Sequence, residues 1–197
     1  MKSYQLLTLL AVCACDPGDQ PPAARPPTGE APTTEVADTA DDAAIEALLA
    51  SPDVALEAAR MTDLAPPTKW LTAIEARLSD PDVSVYIKSR CVTALRRLEV
   101  PEAVRLLEHV VDDENAPALL RRTAIKAYAQ KVPDDAIPRL VRLVDHPDRR
   151  LRDGVLHALA GIRTPAARAV LETRAKAEED AMLRGVAQTY LEASQPR

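Results

Sequence analysis

Residues able to do chemistry are few in this sequence, and their spacing does not suit it. The histidines are His109, His146 and His157. None lies four residues from another and no cysteine pair accompanies them, so no zinc-binding pattern forms. His146 stands in an Asp-His-Pro-Asp stretch and reads as a turn residue rather than a ligand. Ser51, Ser79, Ser84, Ser89 and Ser194 lack the Gly-x-Ser-x-Gly elbow of a nucleophilic serine. Gly154, Gly161 and Gly185 form no phosphate-cradling loop. The acids at Asp134/Asp135 and Glu178/Glu179/Asp180 fall where helices begin or chains turn, and read as caps. The sequence therefore leads to no catalytic residue, no metal and no cofactor.

The cysteines say more. The chain opens MKSYQLLTLLAVCAC, with Lys2 ahead of an apolar core from Leu6 to Ala14. That core is too short for a membrane span, which takes ~20 residues, and has the length of a signal-peptide core. Its end, Val12-Cys13-Ala14-Cys15, resembles a bacterial lipobox, in which a small residue precedes the cysteine that receives lipid. The resemblance implies a signal peptide over 1–14 and acyl chains on Cys15 that anchor the protein in a membrane. Val12-Cys13-Ala14 also passes as an ordinary secretory cleavage site. Cys91 is then the one cysteine left in the mature domain, so no internal disulfide is available. It falls in a column of alanines, which points to buried packing rather than a reactive thiol.

Residues 16–42 hold six of the 17 prolines, no Leu or Ile, no aromatic residue, and seven acids against Arg25. Such a segment cannot bury enough apolar surface to offset its ordering entropy. Residues 15–42 therefore read as a disordered acidic tether, reaching on the order of 80 Å at ~3 Å per residue. The net charge of the chain is -5, which excludes a generally basic nucleic-acid binder. With Lys2 and the tether set aside, residues 43–197 carry 23 acids and 23 bases and are neutral.

Beyond residue 43 the periodicity is helical. Phe is absent and Gly numbers 5, which suits neither a β-sandwich nor a barrel. Prolines at 52, 66/67, 81, 101, 117, 133, 147 and 165 leave room for one helix of three to four turns between each. The helices recur in pairs. Ile87, Leu120, Leu151 and Leu183 align; four residues on come Cys91, Ala124, Val155 and Ala187; seven on, Ala94, Ala127, Ala158 and Tyr190; eight on, Leu95, Tyr128, Leu159 and Leu191. These offsets mark one face of a helix. The partner helices align through Ala103-Leu107, Ala136-Leu140 and Ala167-Leu171.

An outer helix opening with Pro, an Asp-containing turn, then aliphatic-Arg-x-x-Ala-x-x-Ala-Leu resembles HEAT repeats of the short type found in bilin lyases. The resemblance implies an all-α, right-handed solenoid of about five two-helix units at 41–65, 67–98, 101–131, 133–162 and 165–193. The first unit reads as a degenerate cap, and Trp70 at the start of the second as core packing. A single unit buries too little to fold alone, whereas stacked units share a continuous core. TPR repeats have a similar period but want a Phe.

The column Lys88, Arg121, Arg152, Arg184 follows the aligned aliphatics. One reading is a ladder in which each base bridges to the turn aspartates; the other is an anion-binding row. The second helices add further bases, among them Arg90, Arg122 and Arg149, with few acids. In HEAT solenoids the second helices line the concave face, so the resemblance implies a positive groove, and a charged concave surface attracts an opposite partner. The expected partner is an envelope protein with an acidic surface, bound by a tethered, non-enzymatic scaffold. An export signal and a single Trp argue against nucleic acid. HEAT-like bilin lyases and alkyl-base DNA glycosylases are the enzymatic alternatives, and a purely structural envelope spacer is the third.

Overall fold

The structure, a computed structural model, describes residues 34–51 and 55–193. The expected signal peptide, Cys15 and the expected tether as far as residue 33 lie outside the described residues. Ten helices are present among those described: α1 (Thr34–Ala50), α2 (Ala58–Leu64), α3 (Pro67–Ser79), α4 (Val85–Arg97), α5 (Pro101–Asp112), α6 (Ala118–Lys131), α7 (Pro133–Leu143), α8 (Arg149–Ile162), α9 (Pro165–Ala177) and α10 (Ala181–Ala193). None of the described helices is long and apolar enough to cross a membrane.

Local sequence sets most helix starts. Pro67, Pro101, Pro133 and Pro165 open the first helix of successive pairs, where the missing N–H would have no intrahelical partner and the fixed φ is already helical. α4 and α8 start on side-chain caps where the chain turns. The Ser84 hydroxyl accepts from the Ile87 amide at 3.3 Å, and Asp148 accepts from the Arg150 amide at 2.7 Å. α8 ends at Arg163, whose φ of 58° and ψ of 23° are left-handed. Glycine usually occupies such a helix end.

Residues 34–42, which the sequence assigns to the tether, are instead the first half of α1. Between Pro32 and Pro52 no proline interrupts the chain. Ile45, Leu48 and Leu49 dock against the next unit, and helix propagates outward from a docked turn at small cost per residue. The Lys69 ammonium fixes this part of α1 through Asp41 at 3.1 Å.

The core follows the repeat columns. Cys91, Ala124, Val155 and Ala187 are fully buried, as are Ala103, Ala136 and Ala167 on the partner helices. Small side chains at these positions let helices approach closely. Leu95, Leu107, Tyr128, Leu140, Leu151, Leu159, Leu171 and Leu183 fill the spaces between them. Trp70 is also fully buried, and its indole N–H donates to the Met61 carbonyl at 2.9 Å, tying α3 to the end of α2. Burial pushes the Cys91 thiol up to about 11, although Arg77, Arg90 and Lys88 pull the other way. The thiol is a packing group, as its alanine column implies.

The two kinds of helix play different parts. α6 packs extensively on both α4 and α8, so the second helices form a continuous inner row. The first helices α3, α5, α7 and α9 lie chiefly against the second helices and touch one another sparingly. Whatever a partner meets on the inner side is therefore carried by α4, α6, α8 and α10.

Candidate functional site

The basic side chains of the inner row fall into two sets, separated by which way they leave their helix. One set turns back to the ends of neighbouring helices. The Arg90 guanidinium donates to the Leu49 carbonyl at 3.0 Å and the Leu48 carbonyl at 2.9 Å, both in the last turn of α1. Arg121 donates to Val111 O at the end of α5, at 3.1 Å, and is 4% exposed. Arg152 donates to His146 O at 2.9 Å and Pro147 O at 3.1 Å, in the turn after α7. Arg184 donates to Glu178 O after α9, at 3.0 Å. The last carbonyls of a helix have no intrahelical partner and carry the negative end of its dipole, so a cation there stabilises twice over.

The aligned arginines thus form a ladder, but on carbonyl oxygens rather than on aspartates as the sequence suggests. Asp112 and Asp145 pair instead with Arg139 and Arg174 of the first helices, and other turn aspartates take backbone amides. Asp80 accepts from the Asp82 amide at 2.8 Å, Asp113 from Asn115 at 2.9 Å, and Asp180 from Met182 at 2.9 Å. Bonds from the amides of Leu183 and Met182, with Arg149 alongside, hold the Asp180 carboxyl below the usual carboxylate range. His146 is a turn residue: its Nδ1 accepts from the Asp148 amide at 3.0 Å.

One acid does belong to the ladder. Glu178 is 1% exposed. It accepts from Arg174 at 2.9 and 2.7 Å, from Arg152 at 3.2 Å through each oxygen, and from the Asp180 amide at 3.1 Å. Burial alone would raise its pKa; the bonds from Arg174, Asp180 and Arg152 outweigh that and hold it below the usual range. The sequence reading makes Glu178 a surface cap, whereas the structure makes it the buried hub of the last two units.

The second set of bases faces the open side of the row. A groove of about 580 Å³ runs over α4, α6 and α8, lined by Arg96, Leu119, Arg122, Lys126, Gln130 and His157 among others. No acid lines it. Arg122 is half exposed and pairs with Asp153 at 3.4 Å, at the groove margin. Gly154 lets α8 close on this side chain, since a Cβ there would lie 2.8 Å from the Arg122 Cγ. Among the described residues, the side chains of Arg96 and Lys126 make no hydrogen bond or ion pair. Partial burial, then the neighbouring Arg97, hold the Arg96 guanidinium below its ordinary value, the mark of a cation set beside another without a counter-charge. At the far margin His157 Nδ1 lies 2.7 Å from the Tyr190 hydroxyl, ring edge to face.

Residues 114–192, from the turn before α6 to the end of α10, match the family model for HEAT repeats. Over these residues the chain is similar to HEAT repeats. No curated protein and no solved structure matches the chain.

Within the array of paired helices the residues singled out from sequence divide sharply. Arg90, Arg121 and Arg184 cap helix ends, while Arg152 holds the turn carbonyls of His146 and Pro147 and pairs with Glu178. Arg149 pairs with Asp180 at 2.6 Å. Lys88 shares the capping column, is half-buried near Cys91, and does not line the groove. Arg122 alone reaches the groove. Arg96 and Lys126, which complete it, are visible in the sequence as bases of the second helices but lie outside the aligned column. The usable signal is helical offset. Counting from the aligned aliphatic, the next residue bonds a carbonyl in α6, α8 and α10, whereas in α6 residues two, three, six and ten positions on line the groove.

Proposed function

We propose that this HEAT-repeat scaffold is a lipoprotein of the cell envelope, anchored by lipid on Cys15, and that it binds an envelope protein with an acidic surface through the α4–α6–α8 groove. The reading takes the protein as a binding module without a reaction of its own. One observation carries it: in a domain whose other inner-row arginines mostly cap carbonyls or pair with acids, Arg96 and Lys126 line a groove with no acid in it. Cations gathered in one concave groove without a counter-charge raise its positive potential, which an acidic partner relieves. Lipid at Cys15 rests on the Val12–Cys15 pattern alone.

In-cell crosslinking and pull-down of the full-length protein beside an Arg96→Glu/Lys126→Glu variant tests the groove. Both side chains point away from the core, so circular dichroism should show an unchanged fold. The proposal expects an envelope protein captured by wild type and lost from the folded variant. Equal capture by both places the interface elsewhere and refutes it. Cys15→Ser tests the anchor separately, since release of the protein from the membrane fraction is expected.

A further inference from the structure

The groove has a second chemistry beside its charge. Among the described residues four large apolar side chains are exposed: Tyr86 at 52%, Leu119 at 58%, Val141 at 44% and Met182 at 71%. Three of these occupy one repeat position, the residue just before the aligned aliphatic, and so the second residue of α4, α6 and α10. The equivalent in α8 is Arg150, which is also exposed. In α6 this position, Leu119, lines the groove, and Tyr86 and Met182 stand exposed at the same helical position on α4 and α10, with Arg150 between them on α8. Leu119, Thr123, Lys126 and Gln130 are spaced four, three and four apart, as one helical stripe, and all line the groove.

The groove therefore has two margins of different kind. An apolar rail, Tyr86–Leu119–Met182, runs along the starts of the second helices. A cationic rail, Arg96 and Lys126, runs further along the same helices. Leu119 and Lys126 are two turns apart, roughly 10 Å along the α6 axis. That matches the ~10–12 Å width of an α-helix with its side chains, and an extended strand is too narrow to meet both rails. Neighbouring helices of the row stand ~8–10 Å apart, close to the ~10.5 Å between helical residues seven apart.

We infer that the groove accepts an acidic amphipathic helix of its partner, lying across the second helices, with apolar side chains about seven residues apart on the apolar rail and carboxylates on the cationic rail. This rests on the proposed function and specifies the partner it names. From Tyr86 to Met182 the rail crosses three inter-unit steps, which a helix of roughly 18–20 residues spans. Charge complementarity fixes which way the ligand's faces point, and the rail spacing fixes its period.

The test is fluorescence anisotropy with the full-length chain in mild detergent at low salt. The probe is a labelled 21-residue Ala/Glu/Leu peptide with leucines seven apart on one face and glutamates opposite; the control has the same composition in scrambled order. Wild type is expected to bind the patterned peptide about tenfold more tightly than the scrambled one, the return for burying exposed apolar side chains. Leu119→Ser, which removes no core contact, should abolish that preference and leave the weaker binding of the scrambled peptide unchanged. Arg96→Glu/Lys126→Glu should abolish binding of both. Equal binding of the two peptides, untouched by Leu119→Ser, overturns the helix inference and leaves the acidic-partner reading standing. If neither peptide binds wild type, both fall together.

Discussion

Replacing Glu178 by Gln keeps its shape and removes its charge. The carboxylate takes bonds from two guanidiniums and one amide at 2.7 to 3.2 Å while itself 1% exposed. Gln offers one neutral acceptor and turns an NH₂ toward one of the two arginines. Breaking a sealed ion pair costs about 3–5 kcal/mol. Arg152 and Arg174 are 15% and 12% exposed, so water reaches them in part. The expected cost is therefore lower, roughly 2–4 kcal/mol, still well above a surface pair. For a domain of this size that lowers Tm by roughly 5–12 °C. Glu172→Gln is the internal control. It breaks the Arg168–Glu172 pair, at 2.8 Å on the surface of the same helix α9, at a cost of ~0.3–0.5 kcal/mol. Thermal unfolding followed by circular dichroism at pH 7 compares the two.

The pH dependence checks the cause. Glu178 has a depressed pKa in the fold, so its contribution is complete above the unfolded value of about 4.3 and is lost as pH falls through the lower folded value. The Tm gap between wild type and Glu178→Gln should thus be full at pH 6–7 and shrink below about pH 4. A gap no larger than that of Glu172→Gln, or one unchanged at acid pH, refutes the reasoning.

Two further outcomes are expected. Arg163→Gly should raise stability by up to about 1 kcal/mol, because a left-handed φ of 58° costs a side-chain-bearing residue ~1–2 kcal/mol and glycine gives part of that back in chain entropy; a fall in Tm would show that the Arg163 side chain has a structural role. Cys91, its thiol pushed up to about 11 by burial, should resist a thiol reagent in the native protein at pH 8 and react at once in denaturant, and rapid native reaction would contradict the packing assigned to it.

Much of the architecture is legible before any coordinates. Proline at the first position of α3, α5, α7 and α9, and small residues four after each aligned aliphatic, carry the helix pairing and the core directly. The start of α1 is not legible, because an acidic, alanine-rich stretch reads as tether until Ile45, Leu48 and Leu49 are seen to dock. The site was only half legible. The sequence shows which helices are basic, but adjacent positions on a helix are 100° apart, and that one step separates Arg121, bonded to Val111, from Arg122 in the groove. Turn aspartates look like partners for the aligned arginines until the backbone amides and first-helix arginines that occupy them are located. Glu178 looks like another turn acid, and only the packing of α9 and α10 makes it buried.

The central claim is that two neighbouring sets of cations have separate duties, one holding helix ends and one meeting a partner. It is tested most directly by measuring Tm and the affinity for a labelled 20-residue polyglutamate, side by side, in two double variants. Arg96→Ala/Lys126→Ala should keep its Tm to within about 2 °C, as expected for surface changes, and lose most of its binding. Arg152→Met/Arg184→Met should melt several degrees lower and, at temperatures where it is folded, bind as wild type does. Binding lost from the second variant and retained by the first would contradict the account.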